Sequence, residues 1–152
     1  MTILLIKWCK FKLKVTSKIK NLSKIQKFIH RVAQKLRLNE QVESDIQLAV
    51  EEAYTNIVQH AYEGKKEKVE LNVEYQGDSF IVVFTDYGKM FEPEALPPPD
   101  LTSDIEERPI GGLGLYLIRQ MMDEVKFTFD AEKGNKLTMV KQVAKYKGKL
   151  GA

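Results

Sequence analysis

Hydrophobic and polar positions change rhythm along the 152-residue chain, and each change marks an element. Phe11, Leu13 and Val15 alternate with Lys10, Lys12 and Lys14, so residues 2–16 read as extended chain, whose successive side chains point to opposite faces. From Asn21 the period lengthens. Leu22, Ile25, Phe28, Ile29, Val32 and Leu36 recur at helical spacing, with Asn21 or Ser23 as the expected cap. A second helical stretch is expected from Asn39 to about Tyr62, with Ile46, Ala49, Val50, Ala53, Ile57 and Ala61 inward and Gly64 as its stop. Alternation returns at Val69, Leu71, Val73 and Tyr75; Gln76-Gly77-Asp78 then predicts a hairpin turn and Phe80–Phe84 a buried strand. Residues 87–111 lose all periodicity and hold Pro93, Pro97, Pro98, Pro99 and Pro109. So long a loop inside a compact domain is expected to be a lid or a binding loop. A glycine run at 111–114 leads into an apolar helix from Leu115 to about Glu124. Two strands, 125–129 and 137–143, follow around a Lys133-Gly134-Asn135 turn. The pattern predicts an α/β (α+β) two-layer sandwich: one mixed, mostly antiparallel sheet with helices on one face.

Composition narrows the class. With 43% hydrophobic and 30% charged residues the chain is neither disordered nor fibrous. A single cysteine, Cys9, excludes an internal disulfide framework and a cysteine zinc cluster, and the expected setting is cytoplasmic. The apolar run at the amino terminus is too short for a secretory signal or a membrane span. A net charge of +3 is too mild to argue for nucleic acid, but the charge is unevenly spread. Residues 1–40 hold nine Lys and two Arg against Glu40 alone, and residues 133–152 hold six Lys and no acid. These are either solvated basic edges or a docking surface for an acidic partner.

Three groups of residues carry candidate chemistry. Glu52, Asn56 and His60 are spaced four and four, which brings them to one edge of a helix. Such an edge is either a solvated polar face or a site in which the carboxylate, one turn from an amide oxygen, serves as base and magnesium ligand, since magnesium prefers hard oxygens and few protein ligands. Asp86-Tyr87-Gly88 ends the apolar strand, where an aspartate either forms a turn or accepts a hydrogen bond from an exocyclic amine. The Gly111-Gly112-Leu113-Gly114 run is either a plain turn or a phosphate site, since it enters a helix whose free N–H groups attract phosphate. No Lys or hydroxyl residue follows Gly114, so this is not a Gly-Lys-Ser/Thr phosphate loop. Trp8, Met121 and Met122 are expected to pack, and His60 to be a structural group beside the site.

In that order the parts resemble the GHKL-type ATPases, and within them the anti-sigma factors that are also serine-protein kinases. The resemblance rests on Glu52-Ala-Tyr-Thr-Asn56-Ile-Val-Gln-His60-Ala-Tyr62, Asp86-Tyr-Gly88-Lys-Met-Phe91, Gly111-Gly-Leu-Gly-Leu-Tyr-Leu-Ile118 and Gly134-Asn-Lys-Leu-Thr-Met-Val-Lys141. It implies a Bergerat-type ATP-binding fold over residues 11–144, with an extension at 1–10 and a basic tail at 145–152. By motif position it implies Glu52 as general base and Asn56 as the Mg²⁺ ligand. Asp86 would take the adenine amine with Gly88 beside the base, and Gly112 and Gly114 would lie at the phosphates. Thr138 would support the aspartate. Met90 departs from the wider pattern, which often has a second glycine there. The activity implied is ATP-dependent phosphorylation of an anti-anti-sigma (STAS-type) protein, with sequestration of a sigma factor by a homodimer that engages neither nucleic acid nor membrane. The alternatives are a non-catalytic ATP-binding switch and a detached histidine-kinase-like ATPase domain.

Overall fold

Residues 8–62, 66–90 and 112–143 are described by a computed structural model. Five strands form one sheet in the order β1-β2-β3-β5-β4. They are β1 (Trp8–Thr16), β2 (Lys68–Gln76), β3 (Ser79–Asp86), β4 (Glu124–Asp130) and β5 (Gly134–Gln142). All four pairings are antiparallel, so the sheet is not mixed among the described residues. Three helices, α1 (Leu22–Lys35), α2 (Glu40–Asn56) and α3 (Gly112–Met121), complete the second layer.

Alternation in the sequence becomes layering through the register. Leu71 sits opposite Phe84, Phe84 opposite Leu137, and Leu137 opposite Phe127, so one apolar row crosses four strands. Val73, Val82, Met139 and Val125 form the next row. These rows face Ile25, Ile29, Ile46, Val50 and Ile118, all nearly solvent-free, which makes one continuous core. On the other side of the Leu71 row, Asp86 pairs with Asn135, and Asn135 with Phe129. There the inner face of the sheet turns polar, and the site begins.

Local chemistry fixes the helices. Asn39 caps α2 by accepting the Val42 N–H at 2.8 Å, and Glu40 and Glu43 place negative charge at the positive end of the helix. Asn21 makes no cap bond to α1; its side-chain amide donates to the Thr16 carbonyl at 2.7 Å, and Ser23 donates back to Lys20. The buried Lys141 ammonium bonds Asp45 at 3.0 Å and also the Met121 carbonyl, tying β5 to α2 and to the end of α3. A buried ion pair of this kind is costly to break from one side, because the partner is left charged and dry.

Several expectations shift. β1 begins at Trp8, inside the segment that sequence set apart as an extension, and Trp8 is exposed with the Lys10 ammonium 4.8 Å from its ring centre. The second helical stretch changes type after Asn56, and α3 starts at Gly112 and stops at Met121. The turn before β5 is closed by Asp130, whose carboxylate accepts the N–H groups of Glu132 and Lys133. Gly64, residues 91–111 with the expected lid, and the basic tail lie outside the described residues. No helix among the described residues is long and apolar enough to cross a membrane.

Candidate nucleotide site

A cleft opens where the helical layer meets the polar row of the sheet. Its apolar lining includes Ala53, Ile57, Ile118, Phe127 and Leu137; its polar groups are Asn56, His60, Asp86, Lys89, Asn135 and Lys136. An apolar slot with a few convergent polar groups is the usual form of a small-molecule site.

Immediately after Asn56, residues Ile57–Ala61 form a π-helical turn, closed by the Tyr62 N–H on the Ile57 carbonyl at 3.3 Å. Such turns widen the helix and recur at functional sites. Here the turn alters the face on which His60 emerges. Asn56 and His60 line the cleft; Glu52 lies beside Asn56, against α3. His60 Nε2 is buried with no hydrogen-bond partner among the described residues.

Glu52, Asn56 and Gly114 meet. A methyl group at Gly114 would stand 2.9 Å from Glu52 Oε2 and 3.5 Å from the Asn56 amide nitrogen. Glycine there lets the first turn of α3 approach the carboxylate and amide of α2. Gly114→Ala gives a sharp expectation. Alanine favours the helix by about 1 kcal/mol, so the melting temperature should hold or rise. The displaced Glu52 carboxylate should nonetheless slow the phosphoryl transfer proposed below roughly 10²-fold, as about 1 Å of misplacement typically does. Thermal melts beside a turnover assay separate the two effects.

Asp86 ends β3 with only 7% of its surface exposed. Burial raises its pKa, against the opposing pull of Asn135 and the Gly88 N–H. Both of those donors reach the same oxygen, Oδ1, at 3.0 and 2.9 Å. Oδ2 has no hydrogen-bond partner among the described residues, so it is the atom left to accept a ligand N–H. Burial also raises the Glu52 pKa, with Glu51 adding repulsion.

The loop after Asp86 is held from below. Tyr62 accepts the Tyr87 N–H at 2.7 Å and donates to the Lys68 carbonyl at 2.7 Å, while the Lys89 N–H bonds the Ala61 carbonyl at 2.7 Å. A methyl group at Gly88 would overlap that same carbonyl, so this glycine is required by packing against the π turn.

Thr138 does not support Asp86, which corrects the expectation. It sits opposite Val83, three residues along the strand, and points to the other face of the sheet. Asn135 takes the role: its amide bonds Asp86 Oδ1 at 3.0 Å and the Gly88 carbonyl at 2.9 Å. Its place directly after Gly134, whose φ of +88° turns the chain into β5, was the available signal. Asn135→Ala should weaken nucleotide binding about tenfold, the worth of one charge-assisted hydrogen bond, while Thr138→Ala should leave it unchanged; both read by calorimetric titration. Of the residues expected from sequence, Glu52, Asn56 and Gly114 meet one another, Asp86 lines the same cleft, and Gly88 packs against the π turn. Gly112 is the first residue of α3.

Among the described residues no three His, Cys, Asp or Glu side chains gather as a metal-binding cluster. The adjoining Glu52 and Asn56 oxygens still suit Mg²⁺, which commonly keeps its waters and takes one or two protein ligands beside substrate phosphates.

The family described as "Histidine kinase-like ATPase domain" matches residues 15–141. The serine-protein kinase RsbW of Listeria monocytogenes is 39% identical over 105 residues, 65% of either chain. That of Staphylococcus epidermidis is 38% identical over 107 residues, 66% of either chain. The match therefore spans just under two thirds of the length of these relatives. A Mycobacterium tuberculosis structure of RsbU and RsbW domains superposes with a TM-score of 0.64 at 14% identity, covering 89% of this chain and 32% of that one. The histidine kinase domain of a blue-light activated kinase from Erythrobacter litoralis gives 0.52 at 17% identity, covering 86% and 63%. These two likenesses speak to the fold alone. Since the family match runs from the end of β1 into β5, the chain belongs to the histidine kinase-like ATPase domain family.

Proposed function

We propose that this chain binds Mg-ATP in the cleft and transfers its γ-phosphate to a serine or threonine of a small anti-anti-sigma (STAS-type) protein, and that it also sequesters a sigma factor, acting as a homodimer. The observation that carries the nucleotide reading is Asp86: a buried carboxylate with one oxygen committed to Asn135 and Gly88, and the other available to an exocyclic amine. The kinase reading is supported by Glu52, placed beside Asn56 and the first turn of α3, and by relatives named serine-protein kinases.

In this reading the base lies over Ile118 and Phe127, Asp86 Oδ2 accepts its amine hydrogen, and the N–H groups at the start of α3 receive the phosphates. Asn56 Oδ1 would hold Mg²⁺, which when bound supplies charge neutralisation on the phosphate oxygens. Glu52 takes the proton of the incoming hydroxyl as its oxygen bonds the γ-phosphorus. The bond from that phosphorus to the bridging oxygen breaks, and ADP carries the electron pair away. Little covalent help is needed; positioning and charge do most of the work. The test is incubation of the chain with γ-labelled ATP and a candidate STAS-type protein. Label on a serine or threonine of that protein supports the reading. Saturable ATP binding with no transfer reduces the chain to a nucleotide-dependent switch.

A further inference from the structure

Away from the cleft, a second hollow of about 460 Å³ lies between the end of β1, the start of β2 and the first turn of α1. Six lysines line it: Lys14, Lys18, Lys20, Lys24, Lys66 and Lys68. Only Lys14 has an ion-pair partner among the described residues, Glu70 at 3.8 Å, and the nearby Glu67 is the other acid on this rim. Crowded ammonium groups repel one another, so folding alone does not call for the arrangement.

A separate observation also points to an anion. A 3-10 turn, Ile19–Asn21, runs straight into α1, so the positive end of the helical run lies at Lys18–Lys20, among the lysines; neither its first turn nor that of α1 holds an acidic residue, and neither Lys18 nor Asn21 makes a side-chain cap bond. The hollow is built rather than loose. Tyr54, buried in the core, donates to the carbonyls of Thr16 and Lys18, both at 2.8 Å, and Asn21 bonds Thr16 at 2.7 Å. Ser17 and Glu67 exchange bonds of 2.7 and 2.8 Å across the strand ends. Ile19, which lies between Lys18 and Lys20 in the chain and just outside the lining of the hollow, is 55% exposed.

We infer that this hollow is a docking groove for an acidic protein segment carrying an apolar residue, with the carboxylates meeting the lysines and the apolar side chain covering Ile19. Among the described residues its lining has no aromatic ring on which a base would stack and no arginine fork to clasp phosphate, so a protein segment fits better than a nucleic acid. The inference rests on the functional reading only in supposing that the chain has a protein partner.

The experiment is fluorescence anisotropy of the full chain with a labelled peptide of Asp and Glu around one Leu, run beside an ATP titration. The expected result is binding that weakens with salt and falls roughly tenfold or more in a Lys20→Glu, Lys24→Glu double variant. A Lys126→Glu, Lys133→Glu control on the far edge of the sheet should retain it, and ATP binding should persist in both, reporting an intact fold. Lys66→Glu provides a second groove variant. Equal loss in the control, no binding to the wild type, or tighter binding of a DNA oligonucleotide or polyphosphate of equal charge overturns the groove. ATP binding without peptide binding removes the groove alone; peptide binding without ATP binding removes the nucleotide reading alone.

Discussion

Glu52→Gln is expected to keep ATP bound while slowing phosphoryl transfer roughly 10²–10⁴-fold, the usual loss on removing a general base. Glutamine keeps the shape and the contacts beside Gly114 but cannot accept the hydroxyl proton. The wild-type rate should also fall on the acid side around a midpoint above the ordinary glutamate value of 4.5, because burial and Glu51 both favour the protonated form. That limb should be absent from the residual activity of the variant. Single-turnover transfer measured across pH checks both statements, and a variant as fast as wild type removes Glu52 from the chemistry.

Asp86→Asn should separate stability from binding. Burial raises the folded-state pKa of Asp86, so the folded chain holds this proton more tightly than the unfolded chain does. Stability from this group is therefore full at acid pH and is lost as pH climbs from the ordinary value of 3.8 through the raised one. At neutral pH the ionised carboxylate works against the fold. Asparagine retains an acceptor for Asn135 and Gly88 and removes the charge, so its melting temperature should equal or exceed that of wild type at pH 7. The difference should shrink on acidification. Nucleotide affinity should move the other way, by roughly 10²-fold, because the amide presents a donor to a donor. Paired melts and titrations at two pH values read this opposition, and a variant both less stable and equally able to bind ATP contradicts it.

What sequence could reach was set by spacing. Glu52 and Asn56 lie one α-helical turn apart, and Asp86 closes an unmistakable strand, so their places follow from local periods, while the roles of base, metal ligand and adenine acceptor are what the family resemblance implies. Spacing also puts His60 beside the site, but the π turn that carries it obeys neither helical nor strand period, and only the folded chain reveals it. Thr138 went astray for a different reason. Which residue of β5 faces Asp86 depends on the register between strands 49 residues apart in sequence, and a shift of three residues also reverses the face. Lys141 shows the same limit: read as one lysine of a basic end, it is buried against Asp45.

The account turns on whether these groups surround one purine nucleotide, and titration calorimetry of the full chain with Mg-ATP and Mg-GTP asks that directly. It predicts saturable uptake of ATP at a single site and much weaker uptake of GTP, whose exocyclic carbonyl oxygen would face Asp86 acceptor to acceptor. Equal affinity for both nucleotides, or uptake of neither, would contradict it.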